Sequence, residues 1–335
     1  MGLCKLVNTA SIIVGDVGGT NCRFALAHMH PGGQIELSAI SRLQVAGFPS
    51  FYDALEQYIS GLEHVPTRAA FAVAGPKFNG EIKMTNVDWS VSETDLYSGF
   101  GFEMVSLSND FAAMARGAAL MPDDGFTTLI DGKVNYSDTV AVLGPGTGLG
   151  VAGILPSRIS GGPLRILSTE GGYSAFAPQD ELQVEVLKWL MSQFDFVATE
   201  HVVSGPGLLN IYRALCHINA EPVIATQPSE VVNGAEVNPK SLARIAVKLF
   251  CNVLGGFAGN TAYTLGASGG VIITGGVARH IAPFIGESDF KTRFQSRGKA
   301  SWFTQNIPVR LLSAHAVALY GAAAFIGDLK STQLK

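Results

Sequence analysis

Cysteine is scarce, neither charge dominates, and no lysine follows the glycine-rich turns of this chain. Cys4, Cys22, Cys216 and Cys251 are the four cysteines in 335 residues. They are too few and too scattered for a disulfide scaffold or a zinc knuckle, so they are expected reduced, the three inner ones filling core gaps. Charged residues make up 15% of the chain, and 23 basic against 27 acidic residues leave a net charge of −4. No Lys/Arg cluster marks a nucleic-acid surface. The longest uncharged stretch, residues 249–278, is broken by Asn252, Asn260, Thr261, Thr264, Ser268 and several glycines. It therefore reads as a buried helix followed by a strand rather than a membrane span. Met1-Gly2-Leu3-Cys4-Lys5 lacks the basic region and apolar core of a secretory signal, which gives the expectation of a cytoplasmic protein with no membrane partner.

Glycine, by contrast, is abundant and clustered. Gly15-Asp16-Val17-Gly18-Gly19-Thr20 lies between the apolar runs 11–14 and 23–27, and Gly144-Pro145-Gly146-Thr147-Gly148-Leu149-Gly150 lies between 139–143 and 151–155. Both read as strand, tight turn, strand. A hairpin with glycine at its tip can aim backbone N–H groups at an anion because no Cβ blocks the approach, so phosphate is the expected guest. A Walker loop is excluded, since neither turn carries the Gly-Lys-Ser/Thr ending. Residues 148–153 match the dinucleotide fingerprint G-x-G-x-x-G, but Pro156 follows at once and prevents the helix that would hold a pyrophosphate.

At this length two domains are expected. An α/β opening reads as a hairpin meander, a helix near 51–62, a buried strand over 69–74, a helix introduced by Ser92, and a strand over 104–107 that runs through Ser108-Asn109-Asp110 into a helix over 111–120. Polar residues at the C-terminal end of a strand are where α/β folds place their chemistry. The second half restates the plan and adds long helices over 180–193, 206–216 and 241–265. A strand over 270–274 ends at Gly275-Gly276, where backbone could lie flat against a planar ligand such as adenine. The alanine-rich last helix, 316–326, suits close packing back on the first domain. The expected division is 1–120 with 312–335, a small α/β domain, and 121–311, a larger α/β domain with extra helices.

Two phosphate hairpins about 130 residues apart, with an aspartate in the first, resemble the sugar kinase, Hsp70 and actin superfamily. That resemblance implies a two-domain actin-like ATPase (ribonuclease H-like) fold with an inter-domain cleft. In order along the chain come residues 15–21, Met84-Thr85-Asn86, Asn109-Asp110-Phe111, residues 143–150, Glu170-Gly171-Gly172, Ser204-Gly205-Pro206-Gly207-Leu208 and Gly275-Gly276-Val277. Together they resemble bacterial-type glucokinase over nearly the whole chain. The resemblance implies transfer of a phosphoryl group from ATP, with Mg²⁺, to O6 of glucose, the first step of glycolysis, by a cytoplasmic homodimer whose domains close to expel water.

The roles it implies fall on particular residues. Asp110 is the general base for the sugar hydroxyl, and Asn109 holds a neighbouring hydroxyl, although the same pair suits a helix N-cap. Asn86, Glu170 and Glu200 contact sugar hydroxyls, while a carboxylate such as Glu200 at a helix entry also has an ordinary dipole-favoured reading. ATP falls to Gly15, Asp16, Val17, Gly18, Gly19, Thr20, Gly146, Thr147, Gly148, Gly275 and Gly276. Asp16 orients Mg²⁺ through water or, failing that, closes its turn by an Asx bond. Arg23 reads as pointing away along its strand and stands outside the site. One departure matters: the family's Glu-Gly-Gly-His is Glu170-Gly171-Gly172-Tyr173 here. Tyrosine still donates and accepts a hydrogen bond, so Tyr173 is kept as a sugar contact, and another hexose (mannose, fructose or an amino sugar) stays open as substrate. So do a different phosphoryl donor and a sugar sensor that has lost turnover. The cysteine-rich motif of the related repressor-and-kinase branch does not follow Tyr173, and only ten residues precede Ser11, too few for a helix-turn-helix.

Overall fold

The computed structural model describes residues 10–84, 87–159 and 162–333. They form two compact units: one through Met121 with Ile159–Pro163 and the chain from His315, the other Pro122–Arg158 with Leu164–Ala314.

In the first unit β1 (Ala10–Val17), β2 (Asn21–Met29) and β3 (Ile35–Gln44) form an antiparallel meander. β4 (Arg68–Val73) adds in parallel to β1. After a small antiparallel sheet of β5 (Lys77–Phe78), β6 (Glu81–Lys83) and β7 (Ser90–Ser92), β8 (Met104–Asn109) joins β4 in parallel, for the order β3-β2-β1-β4-β8. Period-2 alternation sorts the side chains of β4. Ala69, Phe71 and Val73 enter a core with Phe24, Phe51 and Leu55, while Ala70 and Ala72 face Ala25, Ala27 and the C-terminal helix Val317–Gln333.

Small residues on that second face let helices approach closely. α1 (Phe51–Ser60) and α2 (Glu93–Phe100) precede α3 (Asp110–Ala118). Against α3 the C-terminal helix packs so tightly that a Cβ on Gly321 would collide with the Ala113 carbonyl, and one on Gly117 with the Val317 carbonyl. A two-pronged ion pair from buried Arg116 to Asp328, at 3.0 and 3.1 Å, ties the same two helices. The alanine-rich tail thus docks as its composition suggests.

The second unit repeats the plan. β10 (Val140–Pro145), β11 (Leu149–Leu155) and β12 (Arg165–Thr169) are antiparallel. β13 (Gly270–Ile273) and β14 (Val309–Leu312) continue in parallel to β10, and β9 (Phe126–Ile130) closes the edge, giving β12-β11-β10-β13-β14-β9. The five-strand order of the first unit recurs, which is the repeated half of the actin-like ATPase (ribonuclease H-like) fold. Helices α4 (Glu181–Met191), α5 (Gly205–Ile218), α6 (Pro228–Val237), α7 (Leu242–Leu265), α8 (Gly276–Ile285), α9 (Phe290–Gln295) and α10 (Ser301–Thr304) enlarge it.

Local signals account for most helix starts. The side chains of Ser50, Ser92, Asn109, Asp180, Ser204 and Ser241 each accept a first-turn N–H of α1, α2, α3, α4, α5 and α7. α7 has the length and composition to cross a membrane, yet 72% of its apolar window is buried inside the protein, where Phe250, Leu254 and Ala258 belong to the core. Four helices, α6, α8, α9 and α10, lie where the sequence reading placed none. For α6, Glu230 accepts N–H bonds from Thr226 and Gln227 just ahead of the helix, a capping signal carried by Gln227-Pro228-Ser229-Glu230. α8 begins within the glycine pair 275–276.

Candidate functional site

In the first hairpin, the ladder closes at Val17 opposite Cys22, leaving Gly18, Gly19, Thr20 and Asn21 as the turn, with the Gly18 N–H donating to the Asn21 carbonyl at 3.0 Å. Two neighbours assigned to the nucleotide by resemblance also have a structural occupation. A Cβ on Gly15 would lie 2.7 Å from the Phe71 ring and 3.1 Å from Phe24, so its glycine makes room for the aromatic core, and the Val17 side chain is fully buried in the same core.

Asp16 stands next to the tip with its side chain about 24% exposed. Burial pushes its carboxyl above the ordinary range, and the opposing guanidinium of Arg23 pulls the other way. That guanidinium corrects the reading of Arg23: the ladder pairs Asp16 with Arg23, and the charges stand 3.7 Å apart. Counting outward from a four-residue turn at 18–21 would have found the pairing.

The strand end of β8 delivers Asn109 and Asp110. The helix-cap reading is realised by Asn109, whose Oδ1 accepts the Phe111 and Ala112 N–H groups at 3.0 Å each while its Nδ2 donates to the Gly75 carbonyl at 3.0 Å. Asp110 occupies the first position of α3, half-buried, its Oδ1 accepting the Phe111 N–H at 2.8 Å. A carboxylate there gains from the helix dipole. Asn86 lies outside the described residues.

The second unit gathers the other residues. Between Pro145 and Leu149, the last pair of the ladder, the tip is Gly146, exposed Thr147 and Gly148, and the Gly146 N–H donates to the Gly148 carbonyl at 2.8 Å. At the end of β12, Glu170 is exposed and leads into a turn, Gly171–Tyr173, in which the Tyr173 N–H donates to the Glu170 carbonyl at 3.0 Å. Tyr173 is 59% exposed. Its phenol is pushed up chiefly by the Glu200 carboxylate, then by burial and by Glu170, so Glu170, Tyr173 and Glu200 share one electrostatic neighbourhood.

Glu200, half-buried in the turn Thr199–His201, uses Oε2 to accept the Leu149 N–H at 2.6 Å. Gly275, with φ +95°, abuts the Pro145 carbonyl, where no side chain fits, whereas a Cβ on Gly276 would meet open space. The two glycines read as equivalent in the sequence therefore differ: one packs on the hairpin, the other opens α8. A cavity of about 610 Å³ lies nearby, lined by Gly171, Ser174, Phe176, Thr199, Phe257 and Thr264 among others, but Glu170, Tyr173 and Glu200 are not among its walls.

Comparison with known proteins agrees in extent with this geometry. A family profile described as Glucokinase matches residues 13–329. The chain is 37% identical over 318 residues to the glucokinase of Saccharophagus degradans, covering 95% of this chain and 98% of that one. Its structure is similar to that of a glucokinase from an Antarctic psychrotroph, with a TM-score of 0.85, 31% identity, and coverage of 95% and 99%. A ROK-family glucokinase from Streptomyces griseus, solved with glucose and AMPPNP, shares the fold at a TM-score of 0.64 and 17% identity, with 94% and 98% covered.

Proposed function

The chain belongs to the glucokinase family, and from that premise we propose that it transfers the terminal phosphoryl group of ATP to O6 of glucose. The observation that carries the proposal is the pair Asn109–Asp110 at a strand end: Asn109 takes over the helix cap, so the Asp110 carboxylate can serve as general base toward the sugar O6 hydroxyl. The other Nδ2 proton of Asn109 is assigned to a neighbouring hydroxyl. Asn86, Glu170, Tyr173 and Glu200 are the remaining sugar contacts, and the hairpin tips Gly18–Thr20 and Gly146–Gly148, with Asp16, Gly275 and Gly276, meet ATP. Cytoplasmic location and homodimeric assembly belong to the same proposal and rest on the family alone.

Mg²⁺ fits the residues present. Among the described residues no cluster of three His, Cys, Asp or Glu forms a cage, and Mg²⁺ is commonly held by one or two carboxylates together with substrate phosphates. Asp16 is the carboxylate beside the first hairpin tip. When bound, the ion would neutralise charge developing on the phosphoryl oxygens.

This assignment carries a stability signature. Because burial is the larger influence on Asp16, its folded-state pKa is raised, and the stability it contributes is fully present only when it is protonated. That contribution is lost as pH rises through the folded pKa. Asp16→Asn is therefore expected to melt at or above the wild-type temperature at neutral pH, with the gap closing as pH falls toward about 4, the ordinary carboxylate range. Its kcat/KM for MgATP is expected to fall on the order of 10²-fold. Thermal melts across pH, paired with steady-state kinetics, check both.

Tyr173 in place of the family histidine supports a second reading, a kinase for another hexose. ADP release with Mg²⁺ and ATP, measured across glucose, mannose, fructose, glucosamine and N-acetylglucosamine, decides between them. Glucose is expected to give the highest kcat/KM. Preference for a different sugar would reassign the substrate, and no release with any sugar would leave the sensor reading.

A further inference from the structure

Glu200 touches more than a sugar ligand needs to touch. Its Oε2 accepts the N–H of Leu149, the first residue after the tip of the second phosphate hairpin, at 2.6 Å. Gly148 permits this approach, because a Cβ there would stand 2.5 Å from that oxygen. The segment bearing Glu200 grips the hairpin a second time: the Gly205 N–H, at the start of α5, donates to the Gly146 carbonyl at 2.8 Å. Ser204 joins the two grips. Its hydroxyl donates to the Glu200 carbonyl at 2.7 Å and accepts the Gly207 N–H at 2.9 Å. From the other side, a Cβ on Gly172, in the turn that presents Glu170 and Tyr173, would collide with the Leu149 carbonyl. Leu149 is thus held on its N–H side by Glu200 and on its carbonyl side by the sugar-side turn.

We propose that Glu200 is a positioning residue for the phosphate hairpin: its carboxylate fixes the Leu149 amide, and with it the tip Gly146–Gly148, in the conformation that receives the nucleotide phosphates. The inference rests on the kinase reading and deepens it, since a carboxylate that also accepts a sugar hydroxyl links sugar binding to nucleotide binding through one side chain. A hydroxyl that orients this carboxylate removes part of the ordering cost that the hairpin otherwise meets when the nucleotide arrives. Two glycines, Gly148 and Gly172, acquire a reason here that phosphate contact alone does not supply.

The test is nucleotide affinity with no sugar present, a quantity that a purely sugar-binding Glu200 leaves unchanged. Isothermal titration with Mg²⁺ and a nonhydrolysable ATP analogue is run on the full chain as wild type, Glu200→Gln, Glu200→Ala, Gly148→Ala and the double variant Gly148→Ala/Glu200→Ala. Glu200→Ala is expected to weaken the analogue roughly tenfold, the share of a hydrogen bond to a charged acceptor. Glu200→Gln, which retains an acceptor oxygen at the same reach, keeps most of that affinity. Gly148→Ala drives the carboxylate off the amide and matches Glu200→Ala. The double variant is no worse than either single one, because both break one contact. If Glu200→Ala binds the analogue as the wild type does while its glucose KM rises, Glu200 is a sugar ligand only and the inference falls, the kinase reading standing. If the wild type binds no nucleotide, both fall together. Melting curves on each variant separate lost folding from lost positioning, and a Glu200→Gln variant as weak as Glu200→Ala also overturns the proposal.

Discussion

Asp110→Asn is expected to lower kcat by about 10²- to 10⁴-fold, the usual contribution of a positioned general base. Glucose binding and melting temperature should change little. The helix start survives because Asn109, not Asp110, carries the cap through its bonds to Phe111 and Ala112, and asparagine still offers an oxygen to the Phe111 N–H that Asp110 Oδ1 accepts. What disappears is the basicity and a dipole-favoured charge worth about 0.3–1 kcal/mol. ADP release at saturating glucose and MgATP, with glucose affinity measured separately by titration, separates chemistry from binding. An Asp110→Asn or Asp110→Ala enzyme with full turnover would place the base elsewhere. Asn109→Ala makes the useful contrast, since it removes the cap and is expected to reduce stability by about 1 kcal/mol.

Gly321→Val is expected to have the largest structural effect. The C-terminal helix and α3 meet backbone to backbone, with the Ala113 carbonyl in the space a side chain on Gly321 would fill. Backbone cannot rotate aside as a flexible side chain can, so the helices must separate and uncover Leu319, Ala322 and Ile326, all buried in that layer. Overpacking of this kind destabilises by about 3 kcal/mol or more, a fall of roughly 6–12 °C in melting temperature for a unit of this size. Differential scanning calorimetry of the full chain measures it. Gly99→Ala in α2, where a Cβ meets nothing within 4 Å, is the control and is expected to stabilise by about 0.5–1 kcal/mol. Equal melting of Gly321→Val and wild type would mean that the two helices do not pack this closely.

What could be read along the chain divides by distance. The hairpin around Gly18–Thr20 and that around Gly146–Gly148 were legible because strand, turn and strand lie within about fifteen residues, and period-2 apolar runs with a glycine tip admit few other structures. The caps at Ser92 and Asn109 were legible for the same local reason. Arg23 was misplaced because its partner depends on ladder register, which moves with every residue in the turn. α8 was missed because a glycine pair ahead of it looks like a loop, although the second glycine is the helix's first residue.

The sequence by itself determined the repeated α/β plan, since glycine tips and alternating apolar strands are statements about backbone and side chains a few residues apart, while the reaction class came from the family resemblance that its ordered motifs carry. Tertiary structure decided which glycine does what. Gly15 yields to Phe71, Gly275 to Pro145, and Gly148 to Glu200, partners 56, 130 and 52 positions away. It also decided that Glu200 reaches the second hairpin, through the Leu149 N–H, as well as the neighbourhood of Tyr173. Such contacts arise from packing of whole strands and helices, and packing is set by volumes summed over the core rather than by any local pattern.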